Sequence, residues 1–470
     1  MWDNYYTVSS IEEALNLLET ERGHAKIIAG GTDLILELKK KLHPGVRSLI
    51  DITRIKDQDF IIEEGEYIHI GPLVTHNQCL VSEVLIKFAL PLVKAAQSIG
   101  SAQIRNVGTV FGNLITASPA NDTISPLMAM DAELRVRSQT TTKWVNIHDF
   151  YTGVRKSILN DNELIDTIRF KKMSPTCRGT FVKKILREIH GISIANAVAL
   201  LDFDGNEIKK AVITLGAVAP TIIHAHDSEK YLVGKSLNND SIKIASELAQ
   251  QSSFPISDIR GSKKYREHLV KLLLQDALRE IMNDSWKECN HNPVLLWGNK
   301  TEPKIFLSES TIHNESTPIK TYINEKEFIF THGQTQSLAK LIREQAKLTG
   351  TKLGCEEGEC GSCTIYLDGL PVLSCLLPAP KAQDARITTI EGIASGGELH
   401  PVQQAFIEEG AVQCGYCTPG FIMSSVKLLE EKPNPNKKEI MEGLAGNVCR
   451  CTGYQSIIAA VERAAKTMNG

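Results

Sequence analysis

The hydrophobic and polar positions of this chain change period several times along its length. Ala14, Leu15, Leu17 and Leu18 recur at helical spacing behind Ser9 and Ser10, with Glu12 and Glu13 in the first turn, which predicts a capped helix over 9–20. The apolar run Ala25-Lys26-Ile27-Ile28-Ala29 then reads as a strand entering a Gly30-Gly31-Thr32-Asp33 turn. Ile104 to Asp122 holds too many glycines and small residues for one long helix, and KKMSPTCRG after Phe170 marks a seam. Beyond it, strand-like runs at Ala195 to Phe203 and Ala211 to Val218 flank an Asp204-Gly205 turn. Helical patterns follow at 241–251 and 262–282, together a smaller α+β unit.

From Asn290 to Pro318 the chain is rich in Asn, Ser, Thr, Glu and Pro and shows no sustained period, which predicts a linker. Strict alternation returns at Ile319 to Ile323, followed by a turn at Asn324-Glu325 and a second strand at Glu327 to Phe330. A helix is expected at Ser337 to Gln345. After Ile390 the texture becomes four short helices, at 402–409, 421–429, 437–444 and 455–468, punctuated by Gly410, Pro433, Pro435 and Gly446. The predicted organisation is a multidomain α+β protein with divisions at 1–175, 176–288, a linker at 289–318, a strand-rich part at 319–395 and a helical part at 396–470.

Composition narrows this picture only slightly. At 470 residues, several domains are expected, and 42% hydrophobic with 23% charged residues is ordinary for a globular protein. A net charge of −3 provides no broad positive field for nucleic acid or membrane, so the basic patches at Lys39 to Lys41, Lys171-Lys172 and Lys183-Lys184 read as solvated faces. The N-terminus MWDNYYTVSSIEEALNLLE has no secretory pattern, and no run approaches the roughly 18 apolar residues of a membrane span. A cytoplasmic protein is expected, in which clustered cysteines are metal ligands rather than disulfides.

Eight of the eleven cysteines form two such clusters. Cys355, Cys360, Cys363 and Cys375 follow C-x4-C-x2-C with a later fourth ligand, the plant-type [2Fe–2S] spacing. Gly354, Gly358 and Gly361 suit a loop wrapped closely round a cluster with its amides aimed at sulfur. A zinc ribbon would instead pair two C-x2-C knuckles. Cys414, Cys417, Cys449 and Cys451 combine C-x2-C with a distant C-x-C, a set that fits zinc or iron–sulfur, and the neighbouring first set favours a second cluster. Cys79, Cys177 and Cys289 read as ordinary thiols. His224 and His226 tempt a metal reading, but no further ligand is evident at a defensible spacing, so a structural or surface role is expected.

Residues 319–470 resemble the two-cluster [2Fe–2S] part of the molybdenum hydroxylases, the xanthine dehydrogenase and aldehyde oxidase family. The resemblance lies in TGTKLGCEEGECGSCTIYLDG, TTIEGIA, QCGYCTPGF and GNVCRCTGYQSI, in that order. It implies a β-grasp ferredoxin domain for Cys355 to Cys375 and a four-helix [2Fe–2S] domain for Cys414 to Cys451. The latter would lie next to a molybdopterin, with Gln413 and Cys451 nearest.

The N-terminal half offers Gly30-Gly31-Thr32-Asp33, which is either a bare tight turn or a nest of amides for a pyrophosphate; a Rossmann G-x-G-x-x-G is absent. Residues 1–285 resemble the FAD-binding part of the same family through KIIAGGTDL, RNVGTVFGNLITASPANDTISPLMAMDAEL, FYTGVRKSILNDNELIDTI and FVKKILRE. The resemblance implies a two-part flavoprotein of the xanthine/CO dehydrogenase type: an FAD-binding domain at 1–175 and its α+β C-terminal domain at 176–288. FAD contacts are implied for Lys26, Ile27, Ile28, Ala29, Gly30, Gly31, Thr32, Asp33, Leu34, Thr109, Gly112, Asn113, Ile115, Thr116 and Asp122. Leu164 and Ile165 would lie beside the ring, with Lys183 nearby. The family usually carries two glycines before Asn113; Phe111 replaces the first, and its ring would crowd the flavin or stack on it.

These parts together imply an electron relay: from a molybdenum site through the Cys414 set, the Cys355 set and FAD to an acceptor such as NAD⁺. No side chain here is expected to act as a catalytic base. No segment remains for a molybdopterin domain, and the flavin-before-cluster order reverses that of the single-chain enzymes. A separate molybdopterin subunit is therefore expected, with xanthine or another purine as the favoured substrate and other N-heterocycles or aldehydes as alternatives. Two other readings remain open from sequence: a free-standing NAD(P)H-dependent flavin/iron–sulfur reductase, and a structural or assembly module with zinc in the second set.

Overall fold

Ser10 caps the first helix through its side chain, which accepts from the Glu13 amide. In the computed structural model this helix, α1 (Ile11–Thr20), lies between the strands β1 (Asn4–Thr7) and β2 (Ala25–Ile28); α2 (Leu34–Lys39) follows the glycine turn and leads to β3 (Ser48–Asp51). Both β1 and β2 pair with β3 in parallel, so β3 is central and every one of its residues is buried. Trp2, Tyr5, Ile28, Ile35, Leu38 and Leu49 form the core of this layer. The structure describes residues 1–187, 191–290, 292–299, 306, 309–394 and 396–469; part of the expected linker and Glu188 of FVKKILRE lie outside them.

The fold divides into two units, each discontinuous in sequence: Met1–Lys56, Gly100–Gly108 and Val294–Gly470 in the first, Asp57–Ile99 and Thr109–Pro293 in the second. The 1–175 stretch is thus shared between them, and 104–122 is divided after Gly108. In the first unit, the stretch expected as a linker makes two ordered attachments. Val294, Leu295 and Leu296 are buried among the C-terminal helices, and the Leu295 and Trp297 amides donate to Glu431 at 2.9 and 2.7 Å. Thr311–His313 adds an antiparallel strand to β1. Three apolar residues in a row are too few to display a period, and an edge strand this short carries no alternation.

Residues 319–394 build a five-stranded sheet in the order Lys326–Phe330, Ile319–Ile323, Arg386–Thr388, Thr364–Leu367, Leu370–Leu373. Asn324 and Glu325 both have positive φ, 51° and 62°, the two-residue hairpin turn that matches strand twist. The helix expected at 337–345 is a short α-helical turn, Leu338–Lys340, running into a π-helical stretch, Leu341–Gln345. The four C-terminal helices are Pro401–Glu408, Thr418–Glu431, Lys437–Gly443 and Gln455–Asn469, packed round Phe406, Phe421, Ile440 and Val461.

Among the described residues, the second unit holds two larger antiparallel sheets and a two-stranded one, Tyr151–Gly153 with Lys156–Ser157. Of the larger two, one runs Ile61–Glu64, Tyr67–Ile70, Leu164–Lys171, Glu133–Arg137, Thr142–Asn146; the other runs Cys177–Lys184, Ala195–Asp204, Glu207–Gly216, Ile223–His224. Helices Asn239–Gln251 and Lys263–Met282 cover the second sheet, as the apolar periods predicted. The third strand of that sheet begins at Glu207 rather than Ala211 because Glu207, Lys209 and Lys210 face solvent and carry no apolar signal. Among the described residues, no helix is long and apolar enough to cross a membrane.

Candidate cofactor sites

The loop after Leu353 carries Cys355, Cys360 and Cys363, and a 3₁₀ turn, Ser374–Leu376, brings Cys375 to the same pocket from the end of a strand. Gly358 and Gly361 have φ of 80° and 68°, which lets the loop curl with its amides inward. The Glu357 and Glu359 amides each lie 3.3 Å from Cys355 Sγ. Cys363 and Cys375 are buried at 2% and 1% exposure, and all four thiols are free. Crowding shows in their acidities. The hydrogen bond from Cys355 lowers Cys360 to about 5 against opposing burial, while Cys360, then burial, raises Cys355 to about 12. Cys375 is raised by Cys363 first and burial second. Four sulfurs this close cannot all ionise without a positive centre, and the amides aimed at sulfur suit an anionic metal–thiolate group. This donor set fits a [2Fe–2S] cluster.

The second quartet is built at two helix starts. Cys417 is the N-cap residue of Thr418–Glu431, and Cys449 and Cys451 precede Gln455–Asn469. Cys414 Sγ lies 3.5 Å from Cys451 Sγ. Cys449 Sγ accepts from the Cys451 and Thr452 amides, both at 3.4 Å, and from the Thr452 hydroxyl at 3.2 Å. Burial opposes ionisation of Cys449, but these donors outweigh it and lower the thiol. Burial, then Cys449, raises Cys417 to about 12. Cys414 and Cys451 are exposed, as are Gln413 and the apolar side chains of Val412, Tyr416, Val448 and Tyr454. Four converging sulfurs served by amide donors fit a second cluster, with one edge open to solvent.

The two quartets are interlocked by contacts that no spacing could reveal. The Val448 amide donates to the Cys360 carbonyl at 3.0 Å, and Tyr416 donates its hydroxyl to the Leu353 carbonyl at 2.6 Å. Asn447 donates to the Gly361 carbonyl at 3.1 Å and accepts from Gln103 and Ser424. A Cβ on Gly420 would lie 2.3 Å from the Gly361 carbonyl oxygen, so the loops approach at a distance only glycine allows.

Gly30 and Gly31 have packing reasons of their own. A Cβ on Gly30 would lie 2.1 Å from the Val107 carbonyl oxygen; Gly31 has φ of 72°, and its Cβ would lie 3.1 Å from the carbonyl oxygen of Leu376. The turn therefore abuts the residue that follows Cys375. Lys26, Ile27 and Ile28 are on β2, Ala29 and Thr32 flank the glycines, Asp33 is the N-cap of α2 and Leu34 its first residue. Leu36 of the same helix packs against the cluster of Cys363 and Cys375.

In the second unit, Thr109 caps the helix Val110–Ile115 by accepting from the Gly112 amide at 2.9 Å. Gly112 and Ile115 are exposed and Thr116 is half-buried on one face of that turn, a surface open to a ligand. Asn113 Oδ1 accepts from the Thr123 hydroxyl and amide. Asp122 and Lys183 form a buried ion pair at 2.6 Å, and Ser193 donates to the other Asp122 oxygen at 2.6 Å. Burial raises the Asp122 carboxyl, against the opposing Lys183 charge. Leu164 and Ile165 are buried at the start of Leu164–Lys171, where the ladder shifts register after Ile165. Phe111 is 3% exposed and packs with the core, so its ring does not project into open space. These features fit an FAD.

The histidine pair has the carboxylate that sequence reading missed. His224 Nδ1 and His226 Nδ1 lie 2.8 and 2.9 Å from the two oxygens of Glu229, one of which also accepts from the Ile213 amide. Their rings are nearly parallel, 10° apart with centroids at 5.2 Å. With Nδ1 protonated on each ring, the two N–H groups donate to separate oxygens of Glu229 and the trio is a hydrogen-bonded clamp; its three ligand atoms also lie within 4.8 Å of one another. The residue that could have betrayed it, Glu229, sits three positions after His226, one helical turn away.

Comparison with known proteins covers most of the chain. Residues 2–171 match the FAD binding domain in molybdopterin dehydrogenase and 180–281 the CO dehydrogenase flavoprotein C-terminal domain. Residues 321–386 match the 2Fe-2S iron-sulfur cluster binding domain and 389–462 the [2Fe-2S] binding domain. The nicotine 6-hydroxylase small subunit of Paenarthrobacter nicotinovorans is 52% identical over 126 residues, 27% of this chain and 76% of that protein. The glyceraldehyde dehydrogenase medium chain of Sulfolobus acidocaldarius is 32% identical over 283 residues, 59% of this chain and 98% of that one. A chain of carbon monoxide dehydrogenase from Hydrogenophaga pseudoflava superposes with a TM-score of 0.58 at 26% identity, covering 62% of this chain and 99% of its own.

Proposed function

The chain belongs to the molybdenum hydroxylase family, as an oxidoreductase part carrying FAD and two [2Fe–2S] domains, and on that premise we propose the route its electrons take. They enter from a separate molybdopterin-binding subunit at Cys414, Cys417, Cys449 and Cys451, pass to Cys355, Cys360, Cys363 and Cys375, and reach the flavin before NAD⁺ or another acceptor. When bound, FAD exchanges two electrons and each cluster one. We assign FAD binding to Lys26 to Leu34 and to Thr109, Gly112, Asn113, Ile115, Thr116, Asp122, Leu164, Ile165 and Lys183, and take the boundaries at 175, 288, 318 and 395 to separate the FAD-binding domain, its C-terminal companion, the linker and the two cluster domains.

One observation carries this order: the second quartet presents exposed Cys414 and Cys451 within an apolar rim, whereas Cys363 and Cys375 are enclosed. Exposed apolar side chains beside a metal site suit a partner surface, and Val412, Tyr416, Val448 and Tyr454 surround this one. The enclosed quartet abuts the Gly30-Gly31 turn, which supports transfer from it to the flavin. Asp122 and Lys183 neutralise each other and hold the Thr109 to Asp122 stretch near Ser193, an orienting rather than a proton-transferring role. The substrate is set in the partner; a purine such as xanthine is our reading, from FYTGVRKSIL and NLITASPAND.

The test is purification under conditions that preserve complexes. A molybdenum-containing partner should accompany the chain, with flavin and [2Fe–2S] absorption and about four iron per chain. Tyr416→Glu with Val448→Glu should release the partner while iron and flavin remain. Isolation of a loaded chain without any molybdenum-containing partner would overturn the proposal.

A further inference from the structure

The first quartet sits in a loop of like charges. Glu356, Glu357 and Glu359 lie between its first two cysteines, and the four sulfurs add to them. Within the same unit, one cation reaches this loop from the helix that follows the Gly30-Gly31 turn. Lys39 Nζ donates to the Glu356 carbonyl at 2.7 Å and to the Cys375 carbonyl at 3.3 Å. The two acceptors belong to a ligand and to the neighbour of a ligand, from both ends of the quartet. Leu36, one turn earlier on α2, packs on the hydrophobic cluster that includes Cys363 and Cys375, so the helix is anchored there. Lys39 is only 22% exposed and lies 4.0 Å from the Glu356 carboxylate, which Lys340 also approaches at 3.6 Å.

We propose that Lys39 is a positioning residue for electron transfer: its ammonium, held on the carbonyls of Glu356 and Cys375, raises the reduction potential of the cluster at Cys355, Cys360, Cys363 and Cys375. The inference rests on the assignment of that quartet as a cluster site. A one-electron reduction adds one negative charge at the cluster, and a cation held close in a partly desolvated place favours the reduced form. The electron comes from the Cys414 side and leaves toward the flavin; Lys39 loses and gains no proton. A solvated lysine would be screened. This one is held by two backbone oxygens, and a carbonyl cap alone would serve only to keep the loop folded. The two roles differ in what a charge-preserving substitution does.

The experiment is a redox titration of the purified, cluster-loaded chain, followed by electron paramagnetic resonance so that each cluster is read separately. Lys39→Met should lower the potential of the first cluster by at least tenfold in its reduction equilibrium, about 59 mV for one electron. The second cluster is an internal control and should not move. Lys39→Arg should stay near the parent. Equal first-cluster potentials in the parent and a loaded Lys39→Met protein would overturn the inference, as would an equal fall in Lys39→Arg, which would mark a structural cap. Should Lys39→Met fail to load, Glu356→Gln serves instead. Removing that carboxylate leaves Lys39 less compensated and should raise the potential, and no rise would overturn the inference. Absence of a [2Fe–2S] signal from this quartet in the parent itself would overturn the cluster assignment, a separate result.

Discussion

The two cysteine quartets use the same ligand in opposite surroundings. The first is enclosed: Cys363 and Cys375 belong to a hydrophobic cluster, Lys39 covers two carbonyls, and the Gly30-Gly31 turn abuts Leu376. The second is backed by helix starts on one side and open on the other, with Cys414 and Cys451 exposed among apolar neighbours. The difference teaches that burial rather than spacing distinguishes the two quartets, and on the proposed route the enclosed one is the internal relay and the open one the docking edge. A one-electron carrier inside the chain needs fixed neighbours; one that serves another polypeptide needs an accessible ligand.

The largest test of this contrast is removal of one ligand from each site. Cys375→Ser should lose roughly two of four iron and also lower the melting temperature, because a hydroxyl replaces a sulfur buried in apolar surroundings. Cys451→Ser should lose the same iron with a much smaller thermal shift, since that residue is exposed. Iron analysis with thermal melts checks both, and equal shifts would erase the comparison.

Next is the ion pair that ties the N-terminal sheet to the first cluster domain. Asp51 and Lys381 are 2% and 9% exposed and 3.2 Å apart, with Tyr5 donating to Asp51 at 2.7 Å. Asp51→Asn should cost about 3–5 kcal/mol, as expected when one partner of a buried pair is removed. Burial pushes the Asp51 carboxyl up, but Lys381, the Thr53 hydroxyl and amide, and Tyr5 outweigh it and hold it below the usual range. The folded value is therefore the lower one. Its stabilisation is present above the unfolded value of about 3.9 and is lost as pH falls through the folded value. Urea titrations between neutral and acid pH should show this loss in the parent and a flatter response in Asp51→Asn.

A smaller effect is expected at the junction of the two quartets. Asn447→Ala removes the shared acceptor of Gln103 and Ser424 and one of the donors to the Gly361 carbonyl in a buried place, for about 1–3 kcal/mol by chemical denaturation. Tyr416→Phe, which deletes one bond to the Leu353 carbonyl, should cost least, about 0.5–1.5 kcal/mol. If it cost more than Asn447→Ala, the open edge would be the better-anchored one.

Local chemistry was legible in the sequence wherever it acts over a few residues. Ser10 and Ser262 cap the helices whose starts they mark, Asn324-Glu325 turns its hairpin, and the turn expected at Asp204-Gly205 falls one residue later, at Gly205-Asn206, because Asp204 still pairs with Glu207. The cysteine spacings also bring each quartet together because most of their ligands lie on short loops. Less was legible between Ile35 and Gln103: no period there identified β3 or the helices Glu83–Phe88 and Leu90–Gln97, whose apolar residues are set by packing. Nothing in the 294–297 or 311–313 stretches signalled attachment, because their partners are supplied by distant helices and by β1.

By itself, then, the sequence determined the cofactor chemistry, since ligand type and short-range spacing are local properties of the chain, and it determined the main helices and hairpins. Tertiary structure alone decided which quartet is enclosed, that Lys39 reaches the Cys375 carbonyl across 336 residues, and that Asn447 joins Gly361 across 86. Such contacts depend on how separately folded elements pack, and packing at long separation leaves no period or motif in the residues that take part.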